Sequence, residues 1–176
     1  MSRNPPQRLT VLLLILSISV GCDQVTKRVA ERHLTVLGTQ SFLDDTIRLE
    51  YAENPGAFLS LGSELPEIFR IWLLPVATAA ILAGFAAFLL LRTRMARFEF
   101  LGLSLILGGG LGNLVDRVLR EGRVVDFLNV GIGPVRTGIF NVADTAITLG
   151  ALFVLAGALG LLGRQPERAG GPAPSP

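Results

Sequence analysis

Two acidic residues sit where the surrounding sequence is apolar. Asp126 lies in Val124-Val125-Asp126-Phe127-Leu128, and Asp144 lies in Phe140-Asn141-Val142-Ala143-Asp144, just before a long apolar run. They are 18 residues apart. Two carboxyl groups that share a low-dielectric site cannot both ionise easily, so one keeps a proton. Such a pair can activate a water and protonate a leaving amine, with no metal and no histidine. Paired intramembrane acids also serve proton-coupled transporters. Each acid has an ordinary reading as well. Asp126 reads as a lone acid on an edge strand. Asn141 is a good helix N-cap, and an acid three positions later suits the helix dipole.

Further polar residues share one helical face. Asn113, Asp116 and Arg117 are spaced i, i+3, i+4. An Asp116–Arg117 pair that neutralises itself accounts for the acid. It leaves Arg117 with more donors than one carboxylate uses, and such a fork can hold a peptide carbonyl or a lipid phosphate oxygen. Asp23 and Lys27, at i, i+4, read as a helix-end ion pair worth a few tenths of a kcal/mol when exposed.

The composition removes several chemistries. One cysteine, Cys22, excludes an internal disulfide framework and a Cys-based zinc site. One histidine, His33, excludes any two-His metal site, and neither a metal nor a cofactor is expected. A serine protease would need His33, beyond the first apolar block, to reach Ser104 in the middle of the third. The net charge of +2 gives no reason to expect nucleic acid.

The elements that must carry these residues are apolar blocks. Half of the 176 residues are hydrophobic and 17% are charged, with a mean hydropathy of +0.54, against roughly 25% charged in a soluble domain. Uncharged runs cover Leu9 to Cys22, Ile71 to Leu91, Phe100 to Val115 and Thr145 to Gly163. A crossing helix needs about 20 residues. The expected architecture is an α-helical integral membrane protein with four spans, at about 9–27, 70–91, 98–118 and 141–163. One membrane domain covers 1–164, followed by a disordered cytoplasmic tail at 165–176. Basic residues flank the spans at Arg3 and Arg8, at Arg92, Arg94 and Arg97, and at Arg164 and Arg168. These sides, with both termini, are expected in the cytoplasm.

Segments 28–67 and 119–140 then lie outside and lack a helical pattern. Ile47 to Tyr51 alternates as a half-buried strand, and Val124 to Leu128 and Val135 to Thr137 are further strands, with Gly131, Gly133 and Pro134 as a turn. A small extracytoplasmic β-sheet follows. That topology puts Asp126 and Asp144 at the same outer end of adjacent spans. Trp72 is an expected interfacial anchor, and Pro75 should kink the second helix or lie in its first turns. Gly108, Gly109, Gly110 and Gly112 in the third span, and Gly150, Ala151, Gly157 and Gly160 in the fourth, allow close helix packing. Ser19-Val20-Gly21-Cys22 has the look of a lipoprotein processing site, but Ser19 stands where such sites usually carry Leu, and three spans follow.

Taken together, the motifs resemble the lipoprotein signal peptidases (signal peptidase II), bacterial membrane aspartic proteases. The matching stretches are Asp23-Gln24-Val25-Thr26-Lys27, Glu53-Asn54-Pro55-Gly56-Ala57-Phe58, Gly112-Asn113-Leu114-Val115-Asp116-Arg117, Val124-Val125-Asp126-Phe127 and Phe140-Asn141-Val142-Ala143-Asp144. They occur in the family's order, from about Leu9 to Gly163. The resemblance implies that Asp126 and Asp144 are the catalytic pair. It carries substrate-binding roles onto Asn54, Gly56, Asn113, Arg117 and Asn141, and structural support onto Asp23, Lys27 and Asp116. One departure is that Phe58 follows Ala57 directly, where many members have a second alanine. The implied substrates are prolipoproteins whose cysteine carries a diacylglyceryl group, cleaved just before that cysteine. Membrane lipid is the other expected partner, and the enzyme is expected to act as a monomer in the bacterial inner membrane, its site near the outer leaflet. A small proton-coupled transporter or accessory subunit, using the same acids without hydrolysis, is the competing expectation.

Overall fold

The computed structural model describes residues 5–56, 66–92 and 95–162. The tail at 165–176, the loop residues Ala57 and Phe58, and the flanking residues Arg3, Arg94, Arg164 and Arg168 lie outside them. The described elements run α1 (Pro5–Leu37), β1 (Gln40–Phe42), β2 (Ile47–Asn54), α2 (Glu67–Leu91), α3 (Arg97–Leu119), β3 (Val124–Ile132), β4 (Val135–Arg136) and α4 (Val142–Ala158). Helices α1, α2 and α3 are long and apolar enough to cross a membrane, and α4 is a shorter apolar helix.

Burial is inverted relative to a protein folded in water. Lys27, Asp23, Asn141 and Asp116 are among the largest fully buried side chains, whereas Leu14, Ile18, Trp72, Val76, Ile81 and Leu152 are exposed. A hydrocarbon solvent imposes this arrangement: aliphatic side chains cost nothing against lipid, and polar ones must find partners inside. Helix α3 is the centre of the bundle and packs on each of the other three. Leu12, Leu82, Leu89, Leu103 and Leu107 close the apolar core between α1, α2 and α3.

Small residues set the α3–α4 spacing. A Cβ built on Gly102 would lie 2.6 Å from the Gly150 carbonyl oxygen, and one on Gly150 would lie 2.5 Å from that of Gly102. Gly157 packs nothing, since a Cβ there meets no atom within 4 Å. Gly160 has another use. At φ +69° it ends α4, with Leu161 N–H on the Ala156 carbonyl at 2.9 Å and Gly160 N–H on that of Gly157 at 3.0 Å. This is a Schellman cap, for which a left-handed glycine is the favoured residue. Helix α4 therefore stops at Ala158, short of the span expected to reach 163.

Helix α1 departs the other way. It continues to Leu37 through a stretch expected to be non-helical. Ala30 and Leu34, one turn apart, pack with Phe127 of β3, and Leu49, Tyr51 and Leu128 border that cluster. The sheet thus supplies an apolar partner for a helix face that has too little periodicity of its own. Gly38, at φ +68°, ends the helix.

The four strands form one antiparallel sheet in the order β1-β2-β3-β4. A register shift between Leu49 and Ala52 sets Ala52 opposite Asp126 and Asn54 opposite Val124. The chain reverses tightly from α3 into β3, with Gly122 N–H on the Arg117 carbonyl at 2.8 Å and positive φ at Glu121 and Gly122. Phe140 pairs with Leu128, which fixes the start of α4 against β3.

Candidate active site

Five elements, α1, β2, α3, β3 and α4, converge where β3 meets the N-terminus of α4. Asp126, 3% exposed, comes from β3, and Asp144 sits in the first turn of α4. Asn141 joins them. Its side-chain oxygen accepts from Asp144 N–H at 2.9 Å, the Asp144 carboxylate accepts from Asn141 N–H at 3.2 Å, and the Asn141 amide donates to Asp126 Oδ1 at 2.7 Å. The capping arrangement is therefore real, and the capping residue also holds the second acid.

The other Asp126 oxygen accepts from the Asn54 amide of β2 at 3.0 Å. Asp144 Oδ1 accepts from the Asn113 amide of α3 at 2.9 Å. Asn113 Oδ1 in turn accepts from Asn141 at 3.1 Å and from Lys27 at 2.9 Å. Burial, then the negative charge of Asp144, push the Asp126 carboxyl from 3.8 up to about 6, against the opposing hydrogen bonds from Asn54 and Asn141.

Arg117 is buried beside the pair. It donates through Nη2 to the Gly56 carbonyl at 3.1 Å and through Nη1 to the Asn113 carbonyl at 3.4 Å. Its Nε has no hydrogen-bond partner among the described residues. Gly56 N–H closes a turn onto Asn54 Oδ1 at 2.9 Å, so the Asn54–Gly56 stretch is tied to Asp126 at one end and Arg117 at the other. The expected Asp116–Arg117 pair does not form. Asp116 pairs with Lys27 at 3.1 Å, and Lys27 also pairs with Asp23 at 2.8 Å. Those three side chains are at most 2% exposed, so the Asp23–Lys27 pair is an interior contact and not the exposed helix-end pair of the local reading.

All ten residues singled out in the sequence meet in this region. Gln24, next to Asp23 in the first-helix motif, also belongs to the site: its amide donates to Asp116 Oδ1 at 2.8 Å and to the Gly112 carbonyl at 3.2 Å. An amide beside an intramembrane acid was the available signal. Gly112 must be small, because a Cβ there would stand 2.7 Å from Asp23 Oδ2. No group of three or more potential metal-ligating side chains occurs among the described residues.

An apolar bundle that wraps a buried carboxyl pair in asparagine amides defines a membrane protein with a hydrogen-bonded acidic site. Residues 15–160 match the family described as Signal peptidase (SPase) II. The lipoprotein signal peptidase of Sphingopyxis alaskensis is 42% identical over 159 residues, covering 89% of this chain and 89% of the relative. That of Syntrophus aciditrophicus is 35% identical over 148 residues, covering 84% and 91%. A bacterial membrane enzyme structure obtained by the in meso method at 2.3 Å superposes with a TM-score of 0.73 at 26% identity, over 92% of this chain and 95% of that one. The chain belongs to the signal peptidase II family. It is a membrane protease of that family, and the transporter alternative finds no support in these likenesses.

Proposed function

We propose that Asp126 and Asp144 are the catalytic pair of an aspartic endopeptidase that removes signal peptides from diacylglyceryl-modified prolipoproteins, cutting just before the lipidated cysteine. The observation that carries this reading is Asn141, whose one side chain binds Asp126 and caps Asp144, so the two carboxyls answer to the same residue. The lifted Asp126 value fits a pair that shares one proton near neutral pH.

The ionised member takes a proton from water as its oxygen attacks the scissile carbonyl carbon. The protonated member donates to the carbonyl oxygen. When the tetrahedral intermediate collapses, the C–N bond breaks and the amine leaves with a proton from the pair. No covalent acyl-enzyme forms. Asn54, Asn113 and Asn141 hold the carboxyls in place and offer polar contacts to the substrate backbone. Arg117 and Gly56 line the peptide's path, and the Arg117 Nε donor, which has no partner among the described residues, can take a substrate carbonyl. Asp23, Lys27 and Asp116 support the site from below.

The site lies near the outer leaflet of the cytoplasmic membrane, with both chain ends inside. Arg8 before the first span, and Arg92 and Arg97 between α2 and α3, favour that orientation. The lipid chains of the substrate stay in the bilayer while the peptide enters the polar interior. Every site residue comes from one chain, so a monomer suffices.

Purified enzyme should cleave a synthetic diacylglyceryl precursor peptide. Asp126→Asn and Asp144→Asn should each abolish cleavage while leaving the protein expressed and folded. Cleavage retained in either variant would reject the pair.

A further inference from the structure

Behind the two acids lies a second charge cluster that the proposed chemistry does not use. The Lys27 ammonium has three donors, and each leads back to the pair. The first reaches Asp23 Oδ2 at 2.8 Å, and Asp23 Oδ1 accepts from Ala143 N–H at 2.9 Å. The second reaches Asp116 Oδ2 at 3.1 Å, and the same oxygen accepts from Val125 N–H at 3.0 Å. Ala143 immediately precedes Asp144, and Val125 immediately precedes Asp126. The third reaches Asn113 Oδ1 at 2.9 Å, and the Asn113 amide holds Asp144. Each carboxylate thus grips the backbone one residue ahead of one acid, and the ammonium joins the two grips.

Stability does not account for this cluster. Two carboxylates and one ammonium at most 2% exposed are costly to desolvate, and apolar residues of similar volume are often as stable or more so. We propose that Lys27 is a positioning residue whose ammonium, by tying Asp23, Asp116 and Asn113 together, sets the spacing and orientation of Asp126 and Asp144. This rests on reading those two acids as the catalytic pair.

The charged groups acting on Asp126 are Lys27 from α1, Arg117 from α3 and Asp144 from α4, with Asp116 one step away at Val125 N–H. β2 contributes only the uncharged Asn54. Lys27 lowers the Asp126 carboxyl, so its removal should move the bell-shaped pH–rate curve to higher pH.

The test uses the full chain in detergent with a diacylglyceryl precursor peptide. Lys27→Met should lower kcat by about 100-fold, the scale of a displaced reacting group. KM should stay within about twofold of wild type, since no substrate contact is removed. The pH optimum should rise. In Lys27→Met/Asp116→Asn the cluster keeps its net charge and the acceptor at Val125 N–H. There kcat should stay low, because Asn113 Oδ1 still lacks the ammonium and is held by Asn141 alone, while the pH optimum returns toward wild type. Wild-type kcat in either folded variant, or a loss confined to KM, would overturn the proposal. Failure of both variants to fold would also overturn it, by making Lys27 a stability residue. If wild-type enzyme cleaves nothing, or Asp126→Asn still cleaves, the proposed function itself falls. If cleavage needs Asp126 but is indifferent to Lys27, only this inference falls.

Discussion

Asp126 binds its proton more tightly in the folded protein than an ordinary carboxyl does, at about 6 against 3.8. Ionising it therefore costs stability. The cost is absent below the unfolded value near 3.8, grows as pH rises, and is complete above about 6. A shift of this size corresponds to about 3 kcal/mol. Asparagine at this position has no charge to bury. The Tm of Asp126→Asn minus that of wild type should thus be larger at pH 8 than at pH 4, measured by thermal unfolding in detergent. A difference independent of pH over that interval would mean that Asp126 titrates as an unperturbed acid. The residues of the site were unequally legible. Asn141 and Asp144 announce a helix cap locally, and the cap exists, but the amide bond to Asp126 depends on β3 lying alongside. Asn54 has no local signal for its contact with an acid 72 residues away. It was reached only through the family resemblance.

Between elements, the Gly102–Gly150 crossing is one of the tight backbone approaches in the α3–α4 interface. Gly150→Ala would drive a methyl into the Gly102 carbonyl and push α4, which carries Asp144, away from α3. Overpacking of this kind costs about 1–3 kcal/mol, and cleavage should fall with it. Gly157→Ala meets open space on the same helix. It should be neutral or stabilise by up to about 1 kcal/mol through helix propensity. Thermal unfolding and cleavage assays on the two variants give the comparison; equal effects would show that the crossing is not tight. The apolar runs mark the helices, alternation at Ile47 to Tyr51 marks β2, and the short stretches Val124 to Leu128 and Val135 to Thr137 mark β3 and β4. α1 and α4 end away from the limits of their apolar runs, for opposite reasons. α1 is prolonged by Phe127 from the other end of the chain, and α4 is cut short by a glycine that resembles its packing neighbours in sequence. The shifted β2–β3 register is a long-range outcome with no local pattern, and the three-residue β1 forms a hairpin with β2 whose turn, Leu43 to Asp45 at positive φ, carries no glycine to mark it.

Across the whole molecule, polar groups are gathered inside and aliphatic ones face outward, so the bilayer is the solvent that the fold answers to. Uniform exterior greasiness conceals one inequality. Helix α4 has 17 residues before its glycine cap, roughly 26 Å at the usual rise, against a hydrocarbon core of about 30 Å. Its neighbours α1, α2 and α3 are all longer. A short helix is matched by thinning the surrounding lipid, and α4 is the helix that opens on Asp144. Substrate acyl chains arriving on that side would meet a dimpled leaflet. Turnover in reconstituted vesicles should accordingly be faster in short-chain than in long-chain monounsaturated phosphatidylcholine. A rate indifferent to acyl length would show that the deficit is absorbed elsewhere along the bundle.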